Sequence, residues 1–488
     1  MLSSLSIHNK KVTNTIIAVL LSAIALFVYA QDIRWLALPF VALYVMLLFF
    51  NWKIAYWILL GCIPFSIHIF LAGKSLSTSL PDEPLMWMFL LFFAIVWASK
   101  PKIFPDWFWK NPLTTILLLQ FVWLVVAVIY SQEKFISIKF LLAKCWFLTS
   151  YLLIPIFVFR EKKDFKKGFF IFFIPLLITM LIIFVRHGVL YQFQYNPGIE
   201  KAISILYYNH VDYSTVISMF FPAVCIAYTL IDKQKKLLRR FWMGIILFFI
   251  AAIFLAYARA AMLAVIFCAI IAWAIKKKLV NWLMAAFFTV LIGLTSLLIY
   301  KNNYIALRPD FEQTYTHRSF QSHIIATFRG QDMSSMERLY RWIAAVRMST
   351  EHPMVGFGPN SFYFYYKPYA VTMFRTYVSR NPERSTTHNY FLFMLVEQGW
   401  PAMLLYGVLV VTFFAQAQRT YHKFKDRFYK QVTLGVAMMF AASFVNNFFS
   451  ELIETHKVGA LFYMSISLLI ILTHKSKKEQ EQTSHPLP

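Results

Sequence analysis

Charge is scarce in this chain. Only 14% of its 488 residues are Asp, Glu, Lys or Arg, where an ordinary soluble domain carries about a quarter. Acid is scarcer still, with 22 acidic side chains against 47 basic ones and a formal net charge of +25. Cysteine is nearly absent. Cys62, Cys145, Cys225 and Cys268 all sit inside apolar blocks, none in a CxxC pair, so they read as small buried hydrophobes and imply neither a disulfide framework nor a metal site. Several chemical signatures are missing as well: a Walker A loop, an HExxH helix, a GxSxG elbow, and a DxD-type acidic pair in an outer loop. The sequence therefore makes no case for ATP, for zinc or for a divalent-metal sugar-nucleotide site, and no cofactor is expected. The first apolar block, about 14–30, lacks a small-residue cleavage site and reads as a retained span.

What is abundant is apolar surface. Hydrophobic residues make up 59% of the chain and aromatic ones 19%, more than a soluble core can absorb. They come in unbroken blocks of roughly 17–22 residues, the length that crosses about 30 Å of hydrocarbon. Unbroken rather than alternating runs mean helices, because backbone amides in lipid must be satisfied within their own segment. The expected fold is all-α: a polytopic integral membrane protein of about fourteen transmembrane helices with one large outer loop containing short helices. The expected spans are 14–30, 35–50, 54–72, 85–99, 112–130, 140–159, 168–185, 213–231, 241–257, 260–275, 280–300, 389–416, 431–449 and 457–473. Residues 1–300 thus hold eleven helices, 301–388 a large extracytoplasmic loop, 389–473 three more helices and 474–488 a polar, disordered tail.

The positive-inside rule orients this arrangement. With a cytoplasmic N-terminus, the inner connections receive most of the lysines, among them Lys100, Lys102, Lys162, Lys163, Lys276, Lys277, Lys278, Lys423 and Lys475. The short outer connections hold few cations, such as Arg34, Lys74, Arg186 and Arg259. Both termini are expected in the cytoplasm. The basic excess becomes a topology signal facing anionic lipid, so membrane lipids and no nucleic acid are the expected partners. The outer loop 301–388 is different. Nine of its eleven cations are arginine, the side chain that grips phosphate bidentately. Within it, Ser334-Ser335-Met336-Glu337 fits a capping box. Leu339, Trp342, Ile343 and Val346 then form an apolar stripe at helical spacing, with Arg338 and Arg341 on a neighbouring face. An amphipathic helix on the membrane surface is expected there, ended by Pro353 and the glycines of Val355-Gly356-Phe357-Gly358.

Candidate functional residues follow from this topology. Arg259 lies in a tight outer turn between two apolar blocks, and either faces the bundle interior or snorkels to headgroups. His388 stands where the chain returns to the membrane, with Thr386 or Thr387 as a helix cap. It is either a neutral imidazole able to accept a proton from a hydroxyl or a histidine simply bonded at the interface. Arg338 and Arg341 either bind a pyrophosphate or contact lipid headgroups. Glu397, at membrane depth, either orients a partner or makes a structural bond. Asn209 and His210 either line the site or belong to a helix start capped by Asp212.

These residues resemble a known family. Met336-Glu337-Arg338-Leu339-Tyr340-Arg341-Trp342 and His352-Pro353-Met354-Val355-Gly356-Phe357-Gly358 resemble its "R…W…P…G.G" stretch. Thr387-His388-Asn389-Tyr390-Phe391-Leu392 with Glu397-Gln398-Gly399 is similar to its "HN..L….E.G" stretch. Both are features of the O-antigen ligase and polymerase superfamily of bacterial envelopes. Ala258-Arg259-Ala260-Ala261 stands where that family has "SRGA", keeping only the arginine and the last alanine. The resemblance spans about residues 205–416. It implies a metal-independent membrane glycosyltransferase in the bacterial inner membrane, with its active site facing the periplasm. Such an enzyme moves a glycan from undecaprenyl diphosphate to an acceptor hydroxyl, of lipid A–core in a ligase or of another lipid-linked repeat in a polymerase. It further implies His388, Arg259 and Arg338 as catalytic residues, with Arg341, Asn389, Glu397, Asn209 and His210 binding substrate. Protein O-glycosylation differs from this only in its acceptor. A polysaccharide flippase is the alternative from another class, but it would concentrate charge at mid-membrane depth and keep its loops short.

Overall fold

The computed structural model describes residues 38–71, 76–195, 197–307, 333–370 and 386–484, together with the isolated helical positions Ala18, Ser22 and Ile325. The expected span 14–30 lies outside them, as do the loop arginines Arg308, Arg318, Arg329, Arg375, Arg380 and Arg384. The described chain is overwhelmingly helical. Its long helices are α1 (Leu38–Cys62), α2 (Asp82–Ser99), α3 (Pro112–Ile129), α4 (Lys134–Leu148), α5 (Lys162–Tyr191), α6 (His210–Leu230), α7 (Lys236–Leu255), α8 (Arg259–Lys277) and α9 (Val280–Ile299). The loop contributes α10 (Met333–Ser349) and the short α11 (Phe362–Tyr365), and α12 (Tyr390–Lys423), α13 (Arg427–Phe448) and α14 (His456–Ser484) complete the bundle. Among the described residues, twelve helical segments are long and apolar enough to cross a membrane, which leaves the expected count of fourteen unconfirmed.

Two of those twelve are folded. In α1 the backbone leaves helical geometry at Asn51, and the Tyr44 hydroxyl donates to the Ala55 carbonyl at 3.1 Å. Eleven residues of straight helix would separate those positions by about 16 Å, so the chain doubles back. The expected spans 35–50 and 54–72 are the two arms of this hairpin. The second arm ends early, in a 3-10 turn (Ile63–Phe65) and a two-stranded antiparallel hairpin of β1 (Ile67–Leu71) and β2 (Leu76–Leu80), with Ile67 opposite Leu80. The second fold is in α12, at Gly399, where φ is 80°. The Tyr390 and Tyr406 rings lie 4.7 Å apart and those of Phe391 and Tyr406 4.9 Å. A straight helix would put Tyr390 and Tyr406 about 24 Å apart. The expected span 389–416 is therefore a short arm, Tyr390–Gln398, standing against a long arm that begins at Trp400.

The core is built around α13, which makes its most extensive contacts with α6 and α8 and packs also on α12 and α14. Small buried residues, Gly435, Ala437, Ala441, Ala442 and Ser443, let these helices approach closely. A Cβ at Gly435 would stand 2.9 Å from an Ile226 side-chain carbon. Polar cross-ties fix the register: Asn446 donates to the Ser218 hydroxyl at 3.1 Å, and the Cys268 thiol to the Met438 carbonyl at 3.1 Å. At one end of the bundle, rich in lysine, Lys162 pairs with Asp426. There residues 474–484 of the expected tail are helical rather than disordered. Helix α14 runs to Ser484, the His474 ring stacks on Trp107 at 4.2 Å, and Glu479 accepts from the Asp426 amide at 2.9 Å.

Candidate active site

The opposite end of the bundle carries the loop. The fold at Gly399 frees backbone carbonyls that the loop takes up. Phe357 N–H donates to the Val396 carbonyl at 2.9 Å, Gly358 N–H to that of Glu397 at 3.0 Å, and the Trp123 indole to that of Gln398 at 2.8 Å. In return Trp400 N–H donates to the Pro353 carbonyl at 2.9 Å. The contact tolerates no side chain: a Cβ on Gly399 would meet the Met354 carbonyl oxygen at 1.9 Å, and one on Gly356 (φ 67°) the Val396 carbonyl oxygen at 2.4 Å. The Glu397 carboxylate, 1% exposed, accepts from the backbone amides of Asn360 at 2.5 Å and Phe362 at 3.3 Å, at the start of α11. Glu397 thus anchors the loop.

Helix α10 packs on the short arm of α12 through protein contacts, which corrects the picture of a helix lying free on a membrane surface. Its buried face is Met336, Tyr340, Arg341, Ala344, Ala345 and Met348, while the expected stripe of Leu339, Trp342, Ile343 and Val346 is only half-buried. The alanines let the helix seat against Phe357, Phe362 and Val396. Since the helix already begins at Met333, Ser334 lies within its first turn rather than preceding it.

Arg341 is therefore an interior arginine, 6% exposed. Its guanidinium donates to the Thr386 carbonyl at 3.4 Å. One turn away, Arg338 donates to the Phe449 carbonyl at 3.2 Å, and the Trp342 indole donates to the His388 carbonyl at 3.4 Å. These bonds tie α10 to the foot of the short arm and to the connection between α13 and α14. The cap of α12 is neither Thr386 nor Thr387: Asn389 Oδ1 accepts from Leu392 N–H at 3.1 Å, while its amide donates to the Phe448 carbonyl at 3.0 Å. His388 consequently precedes the cap rather than sitting in the first turn. It has φ 50°, the left-handed region that non-glycine residues occupy rarely and mostly at functional sites.

His388 faces a residue that sequence reasoning missed. Its Nδ1 lies 3.7 Å from Glu451 Oε2, with 33% of the histidine side chain and 19% of the glutamate accessible. Burial, and then the charges of Arg341 and Arg338, hold the imidazole well below the ordinary histidine value, so the ring stands neutral. Burial pushes the Glu451 carboxyl up, against the pull of Thr386, Arg341, the His388 backbone N–H and Arg338. Three residues further on, Glu454 accepts from Lys144 at 2.7 and 2.9 Å and from the Tyr390 hydroxyl at 2.7 Å, bracing the short arm from below. The available signal was two acids, Glu451 and Glu454, three residues apart in one short connection between apolar blocks of an acid-poor chain.

The remaining candidates have other roles or places. Asn209 caps α6, accepting from Asp212 N–H at 2.8 Å, in place of the cap expected from Asp212. His210 pairs with Glu200. Neither joins the Arg338–Arg341–His388–Glu451 cluster through these bonds. Arg259 opens α8, half-buried. Helices α8 and α13 run antiparallel with Cys268 opposite Met438, so Arg259 stands at about the level of Asn447, at the cluster's end of the bundle. Among the described residues no group of three His, Cys, Asp or Glu side chains is placed to hold a metal ion.

The described residues thus form a many-helix bundle with the features of a multi-pass membrane protein, in which Arg338, Arg341, His388 and Glu451 gather beneath the described part of the loop. Residues 244–407 match the family described as O-antigen ligase, a stretch that includes Arg259, Arg338, His388 and the Gly399 turn. The match covers about a third of the chain and supports glycan transfer of the ligase or polymerase type. No curated protein matches the chain.

Proposed function

We propose that this protein transfers a glycan from undecaprenyl diphosphate to an acceptor hydroxyl of lipid A–core, on the periplasmic side of the bacterial inner membrane. The observation that carries the reading is the convergence of Arg338, Arg341, His388 and Glu451. Two guanidiniums outweigh one carboxylate, so the cluster keeps a net positive charge suited to a diphosphate. As the bond from the anomeric carbon to the diphosphate oxygen breaks, negative charge grows on the leaving group. Arg338, Arg341 and, from the start of α8, Arg259 stabilise it electrostatically. The acceptor oxygen bonds to the anomeric carbon and its proton passes to His388, which is neutral and accessible. Glu451 steadies the ring from its Nδ1 side and stabilises the imidazolium that forms. With the arginines neutralising the diphosphate, this route needs no metal. Glu397 and Asn389 act by positioning, the first through the loop and the second through the cap.

The test is lipid A–core capping in a deletion strain complemented with wild type, His388→Ala or Arg259→Ala. Loss of capping with accumulation of long lipid-linked glycan supports the ligase reading. Single-repeat products in place of long chains reassign the enzyme to polymerisation. Normal capping by both variants overturns the catalytic assignment.

A further inference from the structure

The loop carries a second feature that the transfer chemistry leaves unused. Phe362-Tyr363-Phe364-Tyr365-Tyr366-Lys367-Pro368-Tyr369 packs six aromatic rings into eight residues. Phe362 and Tyr366 are buried under α10 and form its small core. Tyr365 and Tyr369 pack against the edge of that core, while Tyr363 and Phe364 stand outside it. Phe364 is 47% exposed, with Tyr363 half-exposed and edge-on to it at 5.5 Å. Tyr365 stacks on Phe357 at 5.3 Å, and Tyr369 stands edge-on to the same ring at 6.2 Å. Polar groups border these rings. Gln132 bonds His352 at 2.9 Å, the Tyr365 hydroxyl donates to Glu133 at 2.9 Å, and Asn360 and Glu351 are exposed.

A pyranose ring has an apolar C–H face and a rim of hydroxyls. It is held by flat aromatic faces flanked by neutral and acidic hydrogen-bonding groups, and tyrosine supplies both at little entropic cost. Rings at a membrane boundary serve equally as lipid anchors, but anchoring of anionic headgroups favours an excess of cations. Here Lys367, Arg347 and Lys134 stand against Glu351 and Glu133, so the described patch carries no large excess of cations. The patch is also continuous with the catalytic cluster. Arg341 and Met348 lie on the same buried face of α10, seven residues or about 10 Å apart, and Met348 belongs to the small core under the aromatic segment.

We propose that Tyr363, Phe364 and Tyr369 form a subsite for the glycan chain of the lipid-linked donor, stacking sugars a few residues away from the one whose anomeric carbon reacts. This rests on the glycan-transfer reading and adds a preference for chain length. The subsite raises affinity for long donors and leaves the chemical step untouched.

The experiment uses the full-length protein in detergent, with lipid-linked donors of one repeat and of many repeats. For wild type the KM is lower for the long donor. The double variant Tyr363→Ala/Phe364→Ala raises the KM for the long donor at least fivefold, keeps its kcat, and leaves the one-repeat donor unchanged, while Phe364→Trp restores the long-donor KM. In parallel, saturation-transfer NMR with the free repeat oligosaccharide, carrying no lipid, shows contact with wild type and none with the double variant. Equal KM changes for both donors, no KM change, or a fall only in membrane insertion or thermal midpoint overturns the subsite. Absence of any transfer by wild type overturns the proposed function. Oligosaccharide binding that persists in that case, and is lost in the double variant, upholds the subsite on its own.

Discussion

At the scale of single residues, the cluster assigns distinct tasks to side chains that look alike in sequence. Arg341 is an interior residue and Arg338 a more open one, though both fall in one helical turn. His388→Ala removes the proposed proton acceptor, and the rate of glycan transfer is expected to fall at least about 100-fold with the protein still folded. Glu451→Gln keeps the shape and removes the charge facing Nδ1. The rate is expected to fall about tenfold or more, and donor affinity to change little, because the partner lost is that of the imidazolium. The pH dependence follows from the depressed histidine. A base whose value lies below the ordinary one, about 6.5, stays neutral at and below that pH. Transfer should therefore hold constant from neutrality down through pH 6.5 and decline only on further acidification. A decline already complete by pH 7 in a rate profile of the purified enzyme would contradict the neutral-base assignment. Sequence reasoning found His388 because a polar residue at a membrane boundary is conspicuous. It missed Glu451 because nothing local joins a glutamate to a histidine 63 positions earlier. That pairing exists only once α13 and α12 are packed.

At the scale of elements, the informative units are two hairpins that hydropathy reads as spans. Apolar periodicity measures how much hydrocarbon-compatible helix a segment contains, not whether it turns back halfway. Asn51 and Gly399 are single-residue departures inside apolar runs, and Gly399 is legible only through its position in the "E.G" motif. The loop glycines, by contrast, were legible as a turn, although their partner was not: the turn docks on carbonyls that exist because α12 is broken. Gly399→Ala is expected to destabilise the folded protein by about 1–3 kcal/mol through its positive φ alone, and by more because its Cβ meets the Met354 carbonyl oxygen. The measurement is the midpoint of thermal unfolding in detergent, together with loss of transfer. Glu397→Gln, which keeps an acceptor oxygen for only one of the Asn360 and Phe362 amides, should produce a smaller fall in the same midpoint and leave donor binding intact. The misplaced apolar stripe of α10 has a simple cause. The helix buries Met336, Tyr340 and Met348 with its small alanines and one arginine against protein, so size and reach, as well as hydropathy, choose its inward face.

At the scale of the whole molecule, the two ends of the bundle differ in chemistry. One end is tied by lysines, the other by arginines, aromatic rings, backbone bonds and the Lys144–Glu454 pair. The orientation proposed for them is open to direct mapping. In a background without the four native cysteines, Lys163→Cys should react with a membrane-impermeant maleimide only in permeabilised cells, and Lys367→Cys in intact spheroplasts. The reverse pattern would invert the topology and with it the side on which transfer occurs.

The turn at Gly399 also sets a height. Tyr390 stands beside Tyr406, seven residues down the long arm from the turn, so the histidine next to it lies about 10 Å below the level of Gly399 along that arm. On the proposed mechanism an acceptor hydroxyl has to reach that level to react. An acceptor whose reactive sugar sits too close to its own anchor, or on too stiff a stalk, is then expected to fail by reach before any recognition of its structure begins. The fold in the helix acts as a ruler as well as a support, and shortening or lengthening the short arm should shift which acceptors are used rather than how fast the bond is made.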